Sequence, residues 1–303
     1  MVQVFPALIA LAGVAGTLVV LSGSAVYARR WFGLRPADPT FPIAPVPHRV
    51  QVWRAAGVAA GLAAAYLATS VNIGFGIGPL MSMPAFGACV LLGVLGGELT
   101  APGPGRTPVR TAPLENRSLT RYLPRRMVLL LASLTGLLAT VLLITSLAGA
   151  PDDQGRAGRW ISVTCLDGTT SMLGPWPGLY YSFPTALVVL TGGFIAWLTV
   201  HRVARRPRAS LDADVRAKDE AIRQRTGFAV TAAAGILVAG PLTGIGLISG
   251  LDLLGSCGSV TVQVAGLSLV AVGFEALIAL GFFMLVVLFP RLSEAPPGGH
   301  EQG

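Results

Sequence analysis

The sequence predicts an all-α bundle of membrane-spanning helices with a small β-hairpin loop, and three observations carry that prediction. The 303 residues are 53% hydrophobic and only 12% charged, with a mean hydropathy of +0.68. A soluble domain rarely falls so far below about 25% charged residues. Apolar runs of spanning length recur along the whole chain. They are too long for barrel strands of about 10 residues, and helix alone satisfies the backbone within one spanning segment.

The apolar runs predict seven spans, at about 4–26, 55–72, 83–99, 127–148, 182–201, 227–249 and 262–289. The first is expected to remain uncleaved, because MVQVFP carries no positive charge and Arg29 and Arg30 follow the run. The arginines predict orientation. Twenty of the 22 positive residues fall in the segments 27–54, 100–126 and 202–226 and in the tail; only Arg156 and Arg159 fall in the loop 150–181. Positive charge stays cytoplasmic during insertion. An odd number of spans then gives an outer N-terminus and a cytoplasmic C-terminus. The setting expected is a bacterial plasma membrane, the Arg and Ala bias suggesting a high-GC genome.

Between the spans, 34–48 and 101–114 read as Pro- and Gly-rich linkers and 290–303 as a disordered tail. Residues 211–225 read as a helix that extends span six, with acid-before-base i,i+4 pairs such as Asp219 with Arg223. Arg29, Arg30, Arg125, Arg126, Arg202, Arg205 and Arg206 are placed to meet anionic lipid headgroups at the cytoplasmic face. A weak parallel repeat also appears at an offset of 169: LVVLSG at 18–23 echoes LVVLTG at 187–192, and Arg54 falls on Arg223. Chance likeness between apolar spans is the competing account.

The outer loop carries Cys165 and the short loop 250–261 carries Cys257. An oxidising compartment favours a disulfide between them; two free thiols or a metal site are the alternatives, the latter weakened by outer loops without histidine. Trp160 to Thr164 alternate and Asp167-Gly168 follows, which predicts a strand turning at a two-residue type I′ hairpin. The loop is expected to need the covalent clip because it is too small for a core of its own. Trp160, Trp176, Tyr180 and Tyr181 are expected at headgroup level as an aromatic belt. Cys89 reads as a small buried apolar residue.

Chemistry is sparse. Glu275 lies near the middle of span seven, where an ionised group is costly, so it is expected to face the bundle interior. Tyr66, Thr17 and Thr140 lie near the middle of their spans and are its candidate hydrogen-bond partners. The competing role for Glu275 is neutral interhelical glue, since no second intramembrane charge is evident to complete a relay. Asn72-Ile73-Gly74-Phe75-Gly76 is similar to a potassium-channel filter, but span two leaves no residues for a pore helix, so a tight outer turn accounts for it better. GxxxG pairs such as Gly57–Gly61, Gly93–Gly97 and Gly246–Gly250 predict close helix packing, and Pro241 predicts a kink. No P-loop, HExxH or GxSxG is present, so no catalytic residue, metal or cofactor is expected, and no nucleic-acid partner.

RSLTRYLPRR at 117–126, GRWISVTC at 158–165 and GPWPGLYYS at 174–182 resemble stretches in uncharacterised multi-pass membrane proteins of actinobacteria. The resemblance spans roughly spans four to six and implies a membrane location without an activity. The function expected is a non-enzymatic accessory, scaffold or assembly component with a membrane-protein partner. A small permease using Glu275 is the alternative, and a sensor with a ligand at the outer loop is the third.

Overall fold

The computed structural model describes residues 48–70, 76–100, 123–165, 167–205 and 213–288. In chain order they form α1 (His48–Ser70), α2 (Ile77–Thr100), α3 (Arg125–Ala148), β1 (Ile161–Thr164), β2 (Thr170–Leu173), α4 (Leu179–Arg205), α5 (Ala213–Leu254) and α6 (Val260–Leu288). All six helices are long and apolar enough to cross a membrane. This is the build of a multi-pass membrane protein. Span 4–26, the linkers 34–47 and 101–114, and the tail 290–303 lie outside the described residues, as do Thr17, Arg29, Arg30 and Arg206.

The bundle is organised around α5. It packs against α2, α3, α4 and α6, while α1 lies on α2. Ala232, Ala233, Ile236, Leu237, Ala239 and Leu242 of α5 are almost fully enclosed. Its 42 residues correspond to about 63 Å at 1.5 Å per residue, about twice the hydrocarbon thickness. The expected extension of span six is therefore one continuous helix with it. That helix also runs unbroken through Pro241, as proline is tolerated where neighbouring helices enclose the freed carbonyl.

Lipid tails are as apolar as leucine, so helices here are held by close packing rather than by hydrophobic exclusion. The glycines do this. A Cβ on Gly57 would stand 2.9 Å from the Cα of Gly93, so α1 and α2 touch backbone to backbone. A Cβ on Gly246 would stand 2.7 Å from the Cα of Gly273, and one on Gly250 2.8 Å from the Gly266 carbonyl, joining α5 to α6 the same way. The GxxxG patterns thus serve packing inside one chain.

At the far end of the bundle β1 and β2 pair antiparallel, Ile161 opposite Leu173 and Thr164 opposite Thr170. The turn differs from the two-residue type I′ expected. Cys165 and Thr169 close it, with the Cys165 amide donating to the Thr169 carbonyl (2.8 Å). Gly168 supplies the positive φ of 82°. The third loop residue is accommodated because Asp167 accepts from the amide and hydroxyl of Thr169 (3.0 and 2.7 Å), an Asx turn that competes with the tighter hairpin. Cys165 and Cys257 form a disulfide across 92 residues, with Cα atoms 4.9 Å apart. The loop has more than this clip: Val163, Trp176 and Leu253 form a small core of their own.

Candidate functional site

Glu275 stands halfway along α6, about 20 Å from either end at 1.5 Å per residue. The structure corrects its orientation. Gly273, Ala276 and Ala279 face inward, whereas Phe274 (55%), Glu275 and Ile278 (43%) lie on the exposed side of α6. The inward stripe must be glycine and alanine to admit α5, so the bulky and polar side chains are turned out. Tyr66 is no partner for it: its ring is 72% exposed on α1, a helix that packs on α2 and away from α6. Thr140 donates to the Gly136 carbonyl of its own helix (2.9 Å). Among the described residues no hydrogen bond joins either of them to Glu275.

A second set of charges within the spanning helices does exist, and sequence reasoning missed it. Arg54 near the start of α1, Glu98 near the end of α2 and Thr226 of α5 converge. The Thr226 hydroxyl donates to Glu98 Oε1 (2.8 Å) and accepts from Arg54 Nη2 (3.0 Å). Thr226 is fully buried and Glu98 nearly so. One turn back on α5, Arg223 donates to Asp219 (2.9 Å), the pair expected from the sequence, and caps the α4 carbonyl of Val203 (2.7 Å). Arg54, Glu98, Thr226 and Arg223 thereby tie four helices together at one end. By sequence Arg54 belongs to the segment 27–54, one residue before expected span two, and Glu98 lies inside expected span three, one residue from its end, where nothing marks it.

The opposite end holds a third charged group. The Asp152 carboxylate accepts from the amides of Gln154 and Arg156 (3.0 and 2.7 Å), from Arg156 Nε (2.8 Å) and from Arg159. Arg159 also lies over the Tyr180 ring, 5.2 Å from its centroid. Burial pushes the Asp152 carboxyl up, but the bonds from Arg156 and Gln154 outweigh it and hold the group below the usual carboxylate range. The two positive residues that break the arginine asymmetry are thus both bonded to one acid.

The aromatic residues of this end are not the belt expected. Trp176 and Tyr181 are buried, each only 4% exposed. Trp176 Nε1 donates to the last-turn carbonyl of Thr145 in α3 (2.8 Å), and the Thr145 hydroxyl returns a bond to Pro177 (2.8 Å). Gly158 takes a φ of 75°, and a Cβ on Gly178 would collide with its backbone, so these two glycines fix how the loop folds onto the helix. Trp160 and Tyr180 are half-buried, and so is Cys89, the one free thiol among the described residues.

Of the arginines expected to meet lipid, Arg125 and Arg126 begin α3 and Arg202 and Arg205 end α4, all four exposed. Those helix ends share the end of the bundle that carries Arg54 and Arg223. Among the described residues no cluster of His, Cys, Asp and Glu is arranged to hold a metal ion. No protein-family model matches the chain, and neither a curated protein nor a solved structure matches it.

Proposed function

We propose that the chain is a non-enzymatic accessory or assembly protein of a bacterial plasma membrane, with seven spans, an outer N-terminus and a cytoplasmic C-terminus. The orientation rests on the arginine asymmetry, to which Arg156 and Arg159 are the exceptions, both bonded to Asp152. The Arg-rich end, with Arg125, Arg126, Arg202 and Arg205 exposed, would face anionic headgroups at about 1 kcal/mol per charge.

The observation that carries the accessory role is the outward placement of Glu275 on α6. A mid-membrane carboxyl turned toward lipid is costly unless it is neutral and hydrogen-bonded or covered by another helix. The partner that suits it is a membrane helix presenting a hydroxyl, amide or basic donor at the same depth, with a flat apolar surface for Phe274. The second reading, a small permease, uses the same carboxyl as a site that gains and loses a proton.

Two substitutions separate the readings. Glu275→Gln keeps the size and hydrogen-bonding capacity but cannot ionise. Glu275→Leu removes both. The accessory role predicts that partners co-purified in mild detergent survive Glu275→Gln and are lost with Glu275→Leu. If Glu275→Gln alone abolishes function in cells while the same partners are retained, the accessory reading gives way to the permease.

A further inference from the structure

A cleft near the hairpin end lies between the last two turns of α3 and the first three turns of α6, and it has about 560 Å³ of space. That is within the 300–1,000 Å³ range of ligand sites. Leu253 of α5 and Trp176 line it, and β1 borders its outer end. Ile144 on one wall is 59% exposed, and Ala265 and Ser268 on the other are exposed too. The cleft therefore opens sideways, toward the medium around the bundle. For a chain with six spanning helices that medium is lipid.

Three features define what fits. The first is depth. From Val260 to Leu269 is nine residues, about 14 Å along the helix, close to the hydrocarbon depth of one leaflet of a 30 Å core. The second is polarity. The hydroxyls of Ser162, Thr164 and Ser259 lie toward the hairpin; deeper in, Val141, Val262 and Leu269 are aliphatic, and the hydroxyls of Thr145 and Ser268 donate to the backbone carbonyls of Pro177 and Val264 (2.8 and 2.9 Å). An amphiphile with its tail inward matches that gradient. The third is charge. No charged side chain lines the cleft, and the two arginines of the neighbouring loop are both bonded to Asp152.

We propose that this cleft holds one acyl chain of a lipid from the hairpin-side leaflet, chosen by its chain and not by headgroup charge. The hairpin limits the cleft at headgroup level and the α3 and α6 walls grip the chain. Water against the aliphatic walls would lack hydrogen-bond partners, and a peptide strand would bring backbone groups with only hydroxyls to meet them. Glu275 is two turns deeper than Ser268 and does not line the cleft, so the proposal stands apart from the accessory role.

The test uses the full chain in nanodiscs of equal phosphatidylcholine and phosphatidylglycerol, released into mild detergent, with retained lipid counted by native mass spectrometry. One lipid per chain is expected, with the two headgroups taken within about twofold of each other. Filling the cleft should displace it. The double variant Ala265→Leu/Ser268→Leu and, from the other wall, Ile144→Trp should each cut retention by about tenfold or more. All three positions are exposed, and Ser268 bonds only its own helix at Val264, so melting temperature and disulfide should be unchanged. Whichever variant keeps its melting temperature decides the matter. Wild type that retains no lipid, filled variants that retain as much as wild type, or a tenfold preference for phosphatidylglycerol would each overturn the proposal.

Discussion

Two glutamates in spanning helices have opposite surroundings. Glu98 sits near the end of α2, buried, accepting from Thr226 beside Arg54. Glu275 sits halfway along α6 on an exposed face among Phe274 and Ile278. A carboxyl whose partners lie within its own chain is a fastener: it accepts from a donor already in place. Glu275, by contrast, makes no side-chain hydrogen bond among the described residues and ties none of the described helices together. The difference separates a carboxyl that fastens the described helices from one on their exposed face.

The sharpest way to break that contrast is to remove each carboxyl. Glu98→Leu deletes the acceptor of Thr226 and leaves the Arg54 guanidinium without its counter-charge. Breaking one side of a buried pair costs about 3–5 kcal/mol. Denaturant unfolding in detergent should show a loss of that size, and Arg54→Met added to Glu98→Leu should recover part of it. Glu275→Leu, by contrast, should leave unfolding unchanged within about 0.5 kcal/mol, as surface changes do. Equal losses for the two would mean that Glu275 has a partner inside its own chain.

Glu275 was legible in the sequence and Glu98 was not, for a physical reason. An acid in the middle of an apolar run announces itself whichever way the helix turns. An acid one residue inside the expected end of span three draws no notice, and Arg54 looks like a loop residue when span two is started one residue after it. Only the pairing of α1 with α2, set by backbone contact at Gly57 and Gly93, brings Arg54 level with Glu98. The glycines, the disulfide and the strand of the hairpin were readable because each rests on local pattern or on compartment. The facing of α6 was not, since apolar residues surround the helix on every side and no stripe marks the inside. Its inner face is told only by which small residues meet which. Trp176 misled because aromatic rings near a span end serve equally as belt or as core, and its bond to Thr145 joins residues 31 apart.

A smaller effect distinguishes the two ends of α6. Replacing Cys165 and Cys257 by serine removes a clip across 92 residues, worth about 2–4 kcal/mol in the chain-entropy view and less where helices are already held by lipid. The loss should appear first as faster proteolysis of 150–178, with the Glu275 face unaffected. If partner association weakens together with the clip, the hairpin and the α6 face act as one surface.

Overpacking tests the inner face of α6 against its outer one. Gly246→Val puts methyl groups against the Gly273 backbone, where a Cβ would already be 2.7 Å from its Cα. Such a change costs about 1–3 kcal/mol. Phe274→Leu, one residue along but turned outward, should alter the unfolding midpoint hardly at all, while a partner seated on that face would lose affinity. A loss of stability from Phe274→Leu matching that of Gly246→Val would show the outer face to be packed within the chain.

Asp152 sharpens the comparison from the other side, as a carboxylate with partners but outside the membrane. Its folded pKa lies below the ordinary value, held there by Arg156 and Gln154 against the opposing effect of burial. A depressed folded pKa stabilises the native loop above the unfolded value, about 3.9, and that contribution fades as pH falls through the lower folded value. Neutral and mildly acidic conditions should therefore leave the loop unchanged. Below about pH 4 the bonds to Arg156 and Arg159 should weaken, and protease cleavage of 150–178 should accelerate. Asp152→Asn should abolish that acid step while raising cleavage at every pH, because the amide cannot balance two guanidinium groups. A wild-type midpoint above about pH 5, or one that Asp152→Asn leaves in place, would assign the step to another acid. Asp167 is the other candidate, since the hydroxyl and amide of Thr169 hold its carboxyl low as well, and Asp167→Asn would then remove the step instead.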